Sequence, residues 1–369
     1  MDLLIQNVRL GSEIRDILVQ QGRFSKIEPK IALSSLSRPP QTLDGTGMAL
    51  LPSFANVHCH AAMVLMRGLG DGLPLHEWLN DIIWPMERRL SPDHIYWGTL
   101  FGCLEMIRSG ITAVFDMYWQ TPQCLRAFHE SGIRANFSHP NIIPPGPEAL
   151  DGLRRDLEEH LALAKSYPAR VELSIGIHAL YTTSPEMRAI CRDFAEAHDL
   201  IVQTHVSETK RETDECIQAT GKTPVEVFDA EGLLNERFIG AHGVWLTDSD
   251  RQRLVERGAA IAHCPSSNMK LASGIFDEGA ARRAGLRFGL TGRRYFGRTG
   301  VLSAYLRGDI SLLLGDVEHG VAANPAFTNV SITTTEVIPV TEIEAGLTGY
   351  VTQNISVSGG YLLSAWHDL

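Results

Sequence analysis

The stretch Leu51-Pro-Ser-Phe-Ala-Asn-Val-His-Cys-His60 decides how the chain folds. It reads as a buried strand that closes on two histidines with one residue between them. Side chains at i and i+2 of a strand share a face. His58 and His60 are therefore expected to present two imidazoles together at the strand's C-terminal end. A barrel of parallel strands keeps its chemistry at that end, and two convergent imidazoles begin a zinc-type site. Buried histidines with ordinary hydrogen bonds give the same local pattern, so the pair gains its weight from the other strands.

Outward from this stretch, apolar runs alternate with longer helical ones. Strand candidates are residues 51–58, 111–117, 133–138, 171–178, 200–206, 238–244, 259–264 and 286–290. Between them, Pro92 to Ser109 carries apolar residues at helical spacing and stops at Gly110. Ser184-Pro-Glu-Met opens a helix with proline in its first turn, and Thr247-Asp-Ser-Asp opens another with capping residues. Eight strands alternating with helices predict an α/β fold, a (β/α)8 TIM-type barrel over residues 49–310. A six-stranded open sheet is the alternative if two short runs are not strands. Residues 1–48 read as short strands and turns, too small to fold alone. Residues 311–369 form a divergent tail rich in Thr, Val, Ile and Ser, with strand-like alternation. The tail is expected to join the N-terminal strands in a small accessory β-sandwich layer.

Bulk properties narrow the function. The 369 residues are 44% hydrophobic and 21% charged, a globular balance. A formal net charge of −10 argues against nucleic acid or an anionic membrane as the main partner. The six cysteines are scattered with no Cys-x-x-Cys pair, as expected for reduced thiols in a cytoplasmic protein. The N-terminus lacks the pattern of a signal peptide, and no apolar run approaches membrane-span length. A homo-oligomer is compatible with all of this.

Several histidines fall at or just beyond strand ends: His58 and His60 on the first, His178 on the fourth, His205 on the fifth and His242 on the sixth. Packing explains any one of them; five at corresponding ends are hard to explain that way. His205 offers a third nitrogen ligand. Glu208, one helical turn on, is placed to reach a metal-activated water or a substrate ring nitrogen. A helix-start carboxylate favoured by the dipole is its structural alternative.

At these residues a resemblance emerges. Asn56-Val-His-Cys-His, Met66-Arg-Gly-Leu-Gly-Asp-Gly-Leu-Pro-Leu-His-Glu-Trp-Leu and Ile83-Trp-Pro-Met-Glu87 resemble the amidohydrolase superfamily. Gly176-Ile-His-Ala-Leu-Tyr-Thr-Thr-Ser, Thr204-His-Val-Ser-Glu-Thr, Gly240-Ala-His-Gly-Val-Trp-Leu-Thr and His263-Cys-Pro-Ser-Ser-Asn-Met-Lys-Leu-Ala-Ser-Gly continue the match in order. The nearest branch is the 5′-methylthioadenosine/S-adenosylhomocysteine deaminases and related chlorohydrolases. The resemblance implies that His58, His60 and His205 ligate one Zn2+ or Fe2+ per chain. It implies that Glu208 shuttles the proton as water attacks C6 of a purine nucleoside and ammonia leaves. His242 would orient or deprotonate the water, Glu87 would bind the ribose hydroxyls, and His178 would contact the sugar or its substituent. Asn268 and Trp84 are given no role. Relatives carry an arginine near Ser138 or His139; here the run is Ala135-Asn-Phe-Ser-His-Pro.

The pattern breaks at the eighth strand. The family reads Gly-Leu-Gly-Thr-Asp-Gly there, and its aspartate ligates the metal. This chain reads Leu286-Arg-Phe-Gly-Leu-Thr-Gly292, then Arg293-Arg-Tyr-Phe-Gly-Arg298. Three explanations compete. One inserted guanine in the codons for Thr-Asp-Gly-Ala would yield Thr-Gly-Arg-Arg, as found at residues 291–294. Genuine divergence would leave the pocket without its fourth ligand. Asp316, ending an apolar run, would be a displaced carboxylate. Val301–Leu306 is the one candidate for the helix that covers the barrel after this strand. The functions left open are an adenine-nucleoside deaminase with impaired activity, a catalytically silent nucleoside-binding homologue, and a related hydrolase acting on guanine, cytosine or a chlorotriazine.

Overall fold

The computed structural model describes residues 2–36, 38–142, 147–167 and 170–290, together with strands between Arg293 and Leu363. It divides into two compact units, Met1–Ser53 and Phe54–Leu369.

The first unit is a four-stranded sheet: β1 (Leu3–Leu10), β2 (Glu13–Gln20), β3 (Arg23–Glu28) and β4 (Gln41–Asp44), in the order β3-β2-β1-β4. Antiparallel hairpins join the first three, and β4 runs parallel to β1. Alternation along β1 sends Leu4 into one cluster with Leu18 and Ile31, and Ile5 into another with Val8 and Ile17. Asp16, fully buried, accepts the N–H groups of Asn7 and Ile31, each at 2.9 Å. Asn7 sits at φ 56° where the β1–β2 register slips, so Asp16 stabilises the bulge that breaks the ladder.

The second unit carries parallel strands in two sheets. β5 (Phe54–Cys59), β6 (Ile111–Met117), β7 (Arg134–Ser138) and β9 (Val171–Leu173) form one. β8 (Pro140–Asn141), β10 (Ile175–Ile177), β11 (Val202–Val206), β12 (Phe238–His242), β13 (Ala260–His263) and β14 (Arg287–Leu290) form the other. The fourth predicted strand is divided between the sheets at Ser174, into β9 and β10; the third ends as β7, and after His139 the chain adds β8 to the other sheet. β7 pairs with β9 on one side of the interruption, and β8 with β10 on the other. At this crossing a Cβ on Gly176 would lie 2.3 Å from the His139 carbonyl oxygen, so only glycine fits. Eight parallel runs result, in chain order, each bonded to the next. Among the described residues no ladder joins β14 back to β5.

Helices follow the strands as the periodicity predicts. Pro92–Arg108 lies between β5 and β6, and Pro185–His198 follows β10. Ser184 caps the latter through the Met187 N–H at 3.2 Å, and Thr247 caps Asp248–Glu256 in a reciprocal box with Asp250. Met187, Ile190 and Cys191 bury against Ile175, Ile177 and Val202. Each large aliphatic side chain so buried contributes about 1.5–3 kcal/mol.

Beyond β14 the described residues are strands: β15 (Arg293–Phe296), β16 (Leu302–Arg307), β17 (Leu312–Gly320), β18 (Ser331–Pro339), β19 (Ile343–Thr352) and β20 (Ile355–Leu363). Two expectations change here. The covering helix expected at Val301–Leu306 is instead strand β16, paired to β15 and β19. Six residues are too few to sustain a helix against available ladder partners. Asp316 lies mid-strand opposite Thr335 in the β17–β18 hairpin, not at a strand end. Residues 291 and 292, where the family's aspartate is expected, lie outside the described residues.

Candidate active site

The histidines predicted at strand ends converge. At the end of β5, His58 and His60 have a ring-centroid separation of 4.9 Å, and the His205 ring lies 4.8 Å from His58 and 5.4 Å from His60. His242 stacks at 5.5 Å from His205, and His178 lies 5.0 Å from it. Ring nitrogens of His58, His205 and His242 lie within 4.8 Å of one another. The five histidines that the sequence placed at strand ends therefore come together, with His60 joined to the group through its contact with His205.

Backbone carbonyls settle how these rings face. His60 Nδ1 is 2.6 Å from Met117 O, and His205 Nδ1 is 2.7 Å from His178 O. A carbonyl only accepts, so each Nδ1 carries the proton and each Nε2 keeps its lone pair. Those two Nε2 atoms are 3.4 Å apart. Facing lone pairs at that distance repel unless a cation lies between them. Two nitrogens bound to one tetrahedral zinc are separated by roughly 3.3 Å, so the observed spacing fits a shared ion. Outer-sphere bonds that fix a tautomer are also what metal-ligating histidines usually have. His242 follows the same rule through a side chain: its Nδ1 is 2.7 Å from Asn268 Oδ1.

Burial keeps all these rings neutral. It lowers His58 and His205 well below the ordinary histidine range, and the neighbouring imidazoles push the same way. Burial likewise lowers His242 to about 4 and His178 to about 3. A neutral imidazole is the form that ligates a metal.

Glu208 stands beside the histidines. Its Oε1 is 3.6 Å from His242 Nδ1 and accepts from Ser273 Oγ at 3.3 Å. Burial pushes its carboxyl up to about 7. Glu212, also buried, is pushed up to about 8 by burial and by the charge of Glu208, against backbone N–H groups that pull it down. Two buried carboxyls this close resist a second negative charge, so the pair favours holding a proton near neutral pH.

Strain marks the same strand ends. Ser207 and His242 adopt φ of 49° and 76°, a region that costs non-glycine residues about 1–3 kcal/mol. Neighbouring amides stabilise both: Gly243 N–H donates to Val206 O at 3.0 Å and Trp245 N–H to Ser207 O at 2.9 Å.

The wall opposite the histidines comes from a helical run, Leu75–Glu77, Trp78–Ile83 and Trp84–Glu87, whose middle segment is π-helical. Such segments often re-aim side chains at functional sites. Trp84 and Glu87 both line the pocket, together with His60, His178, His205, Glu208 and His242. Glu87 Oε2 accepts from Trp119 Nε1 at 3.2 Å, and burial pushes its carboxyl up. His139, in the stretch where an arginine was expected from the resemblance, is lowered to about 4 by burial and by His160, and packs 5.5 Å from Trp119. Every expected site residue thus reaches one region. The sequence reading missed Asn268, Trp84, Trp119, Ser273 and Glu212. Signals existed for Asn268 and Ser273, in the His263–Gly274 motif, and for Trp84, in the Ile83–Glu87 motif.

Comparison with known proteins agrees with this geometry. Residues 49–341 match the Amidohydrolase family. The 5′-deoxyadenosine deaminase of Methanospirillum hungatei is 41% identical over 277 residues, covering 73% of this chain and 61% of that protein. The 5-methylthioadenosine/S-adenosylhomocysteine deaminase of Thermococcus sibiricus is 38% identical over 300 residues, covering 79% and 69%. An adenosine deaminase from Xanthomonas campestris, crystallised with bound zinc, superposes with a TM-score of 0.71 at 29% identity, covering 78% of this chain and 68% of that one. A triazine hydrolase from Arthrobacter aurescens, at 21% identity and a TM-score of 0.68, shares the TIM-barrel type of fold. The chain spans 61% of the length of the first relative named. With the family match running through every strand that supplies a histidine, the chain belongs to the amidohydrolase family.

Proposed function

We propose that this chain is a metal-dependent hydrolytic deaminase of adenine nucleosides, of the 5′-methylthioadenosine/S-adenosylhomocysteine type. The observation that carries the proposal is the pair of Nε2 lone pairs of His60 and His205, 3.4 Å apart, with Glu208 beside them in the same pocket. The same reading takes the eight parallel runs as a closed barrel.

His58, His60 and His205 would hold one divalent cation, zinc or else ferrous iron, which would supply Lewis-acid activation of water when bound. Glu208 carries a proton near neutral pH and delivers it to the purine ring nitrogen as C6 is attacked. It then recovers the water's proton for the departing ammonia. His242, its Nδ1 held by Asn268, turns its Nε2 lone pair toward the water and orients it. Glu87 accepts from the ribose hydroxyls, and His178 faces the sugar and its 5′ substituent. Net, one water is consumed, the C6–N bond breaks, and ammonia leaves.

Thr291-Gly292 stands where the family has Thr-Asp-Gly, and this favours a second reading: a nucleoside-binding homologue with impaired turnover. Metal analysis combined with ammonia release from 5′-deoxyadenosine, methylthioadenosine and S-adenosylhomocysteine tests both. Stoichiometric zinc with slow turnover supports the deaminase; binding without turnover selects the second reading; failure to take up metal sinks the first. For the sugar site, Glu87→Ala should reduce turnover of nucleosides far more than that of free bases. Equal losses would remove Glu87 from the ribose.

A further inference from the structure

Glu212 has no part in the chemistry above, yet it is 5% exposed and its carboxyl points back along the chain. It sits in the first turn of the helix Lys210–Thr220, whose N-cap is Thr209. Thr209 Oγ1 accepts the Glu212 N–H at 3.1 Å, the ordinary half of a capping box. The other half is shared: the Thr209 N–H contributes least, and the two preceding amides contribute more. A carboxylate at this position usually accepts the N–H of the cap residue itself. Here Glu212 Oε2 accepts the N–H of Glu208 at 2.8 Å, and Oε1 accepts that of Ser207 at 3.1 Å.

These two amides lie on the turn that aims Glu208. β11 ends at Val206, and Ser207 turns the chain through its left-handed φ of 49°. That turn leaves the amides of Ser207 and Glu208 side by side in a buried site, where unpaired N–H groups are costly. One carboxyl with two oxygens satisfies both. Each oxygen keeps an acceptor lone pair whether the carboxyl is ionised or protonated. The result is a fixed backbone from which the Glu208 side chain reaches Ser273 and His242.

We propose that Glu212 is the positioning residue of the site, holding the Ser207–Glu208 turn so that the Glu208 carboxyl stays aimed at the histidine cluster. The kinetic arm of its test rests on Glu208 being the proton carrier; the structural arm does not.

Glu212→Gln keeps the size of the side chain but turns one acceptor into an NH2 that faces an N–H. A crystal structure of this variant is expected to show the Glu208 carboxyl withdrawn from Ser273. A Glu208 that stays in place overturns the proposal, whatever the activity. In kinetics, Glu212→Gln should lower kcat about 10–100-fold, the scale of losing an outer-sphere bond at such a site, with KM and zinc content nearly unchanged. Placed on Glu208→Gln, the same substitution should cost nothing further, because a residue that acts through Glu208 has no effect once Glu208 is gone. Additive losses would overturn the proposal. Thr209→Ala separates aim from helix stability: it removes the cap of the same helix and should lower Tm while leaving kcat close to wild type. If Thr209→Ala lowers kcat as far as Glu212→Gln does, helix integrity explains the loss and the proposal fails. A wild-type protein without deaminase activity would defeat the proposed function alone, leaving the crystal structure to decide on Glu212.

Discussion

The ends of β11 and β14 belong to the same six-stranded sheet and differ in the side chains just beyond them. β11 ends in His205, a strained Ser207 and Glu208, each held by named partners: His178 O, Glu212 and Ser273. β14 keeps its register with β13, down to His263 opposite Leu290, and then runs into Thr-Gly-Arg-Arg. The strand is in place without the residue that relatives present from it. Strand pairing and chemical endowment are thus separable. A ladder needs only backbone groups and apolar packing, whereas a ligand needs one side chain at one position.

Substitutions at either end can break or sharpen that contrast. The largest effect is expected from His205→Ala. It should reduce zinc content from about one ion per chain to near zero, because metal affinity depends on the whole donor set. Retention of stoichiometric zinc would mean that the built end is not the metal end. Next, the double substitution Gly292→Asp with Arg293→Gly restores the family's Thr-Asp-Gly order and should raise kcat/KM by about 100-fold or more, the scale of a positioned proton-transfer group. No gain would show that the β14 end lacks more than one carboxylate. Asn268→Ala frees the His242 tautomer and should lower kcat by about 10-fold with the fold intact by circular dichroism. Wild-type turnover would remove Asn268 from the site.

The smallest effect concerns pH. Burial holds His242 at about 4 and His178 at about 3, below the 6.5 of an unfolded histidine. As pH falls below 6.5, the unfolded chain binds protons that the folded state refuses. Metal-free protein should therefore lose stability progressively from about 6.5 down towards about 4, and hold it above 6.5. Thermal unfolding of chelator-treated protein against pH reads this directly. A flat Tm across that window would mean the histidines are solvated, contrary to the converged cluster.

Much of this was legible along the chain. Period-two alternation placed His58 and His60 on one strand face, and β6 begins and ends where the apolar run does. The caps at Ser184 and Thr247 marked helix starts correctly. The break at Ser174, which divides one predicted strand between two sheets, carried no local signal. Its cause is the pairing of β9 with β7 and of β10 with β8 and β11. Asn268 escaped because its partner, His242, is 26 residues away, and Trp119 because its bond to Glu87 spans 32. Glu212 escaped for a different reason: a carboxylate in a first helical turn is ordinary by sequence, and only its bonds to the amides of Ser207 and Glu208 set it apart.

The amino-acid sequence by itself determined the alternation of strand and helix, the strand ends at which histidines fall, and the lack of an aspartate at residues 291–296. All three follow from local periodicity and residue identity. Only the tertiary structure decided that the five histidines come together, which ring nitrogens carry protons, and which carboxyls are buried enough to hold one. Those properties depend on distances between separate strands and on the water that packing excludes, and neither is encoded in any single stretch of chain.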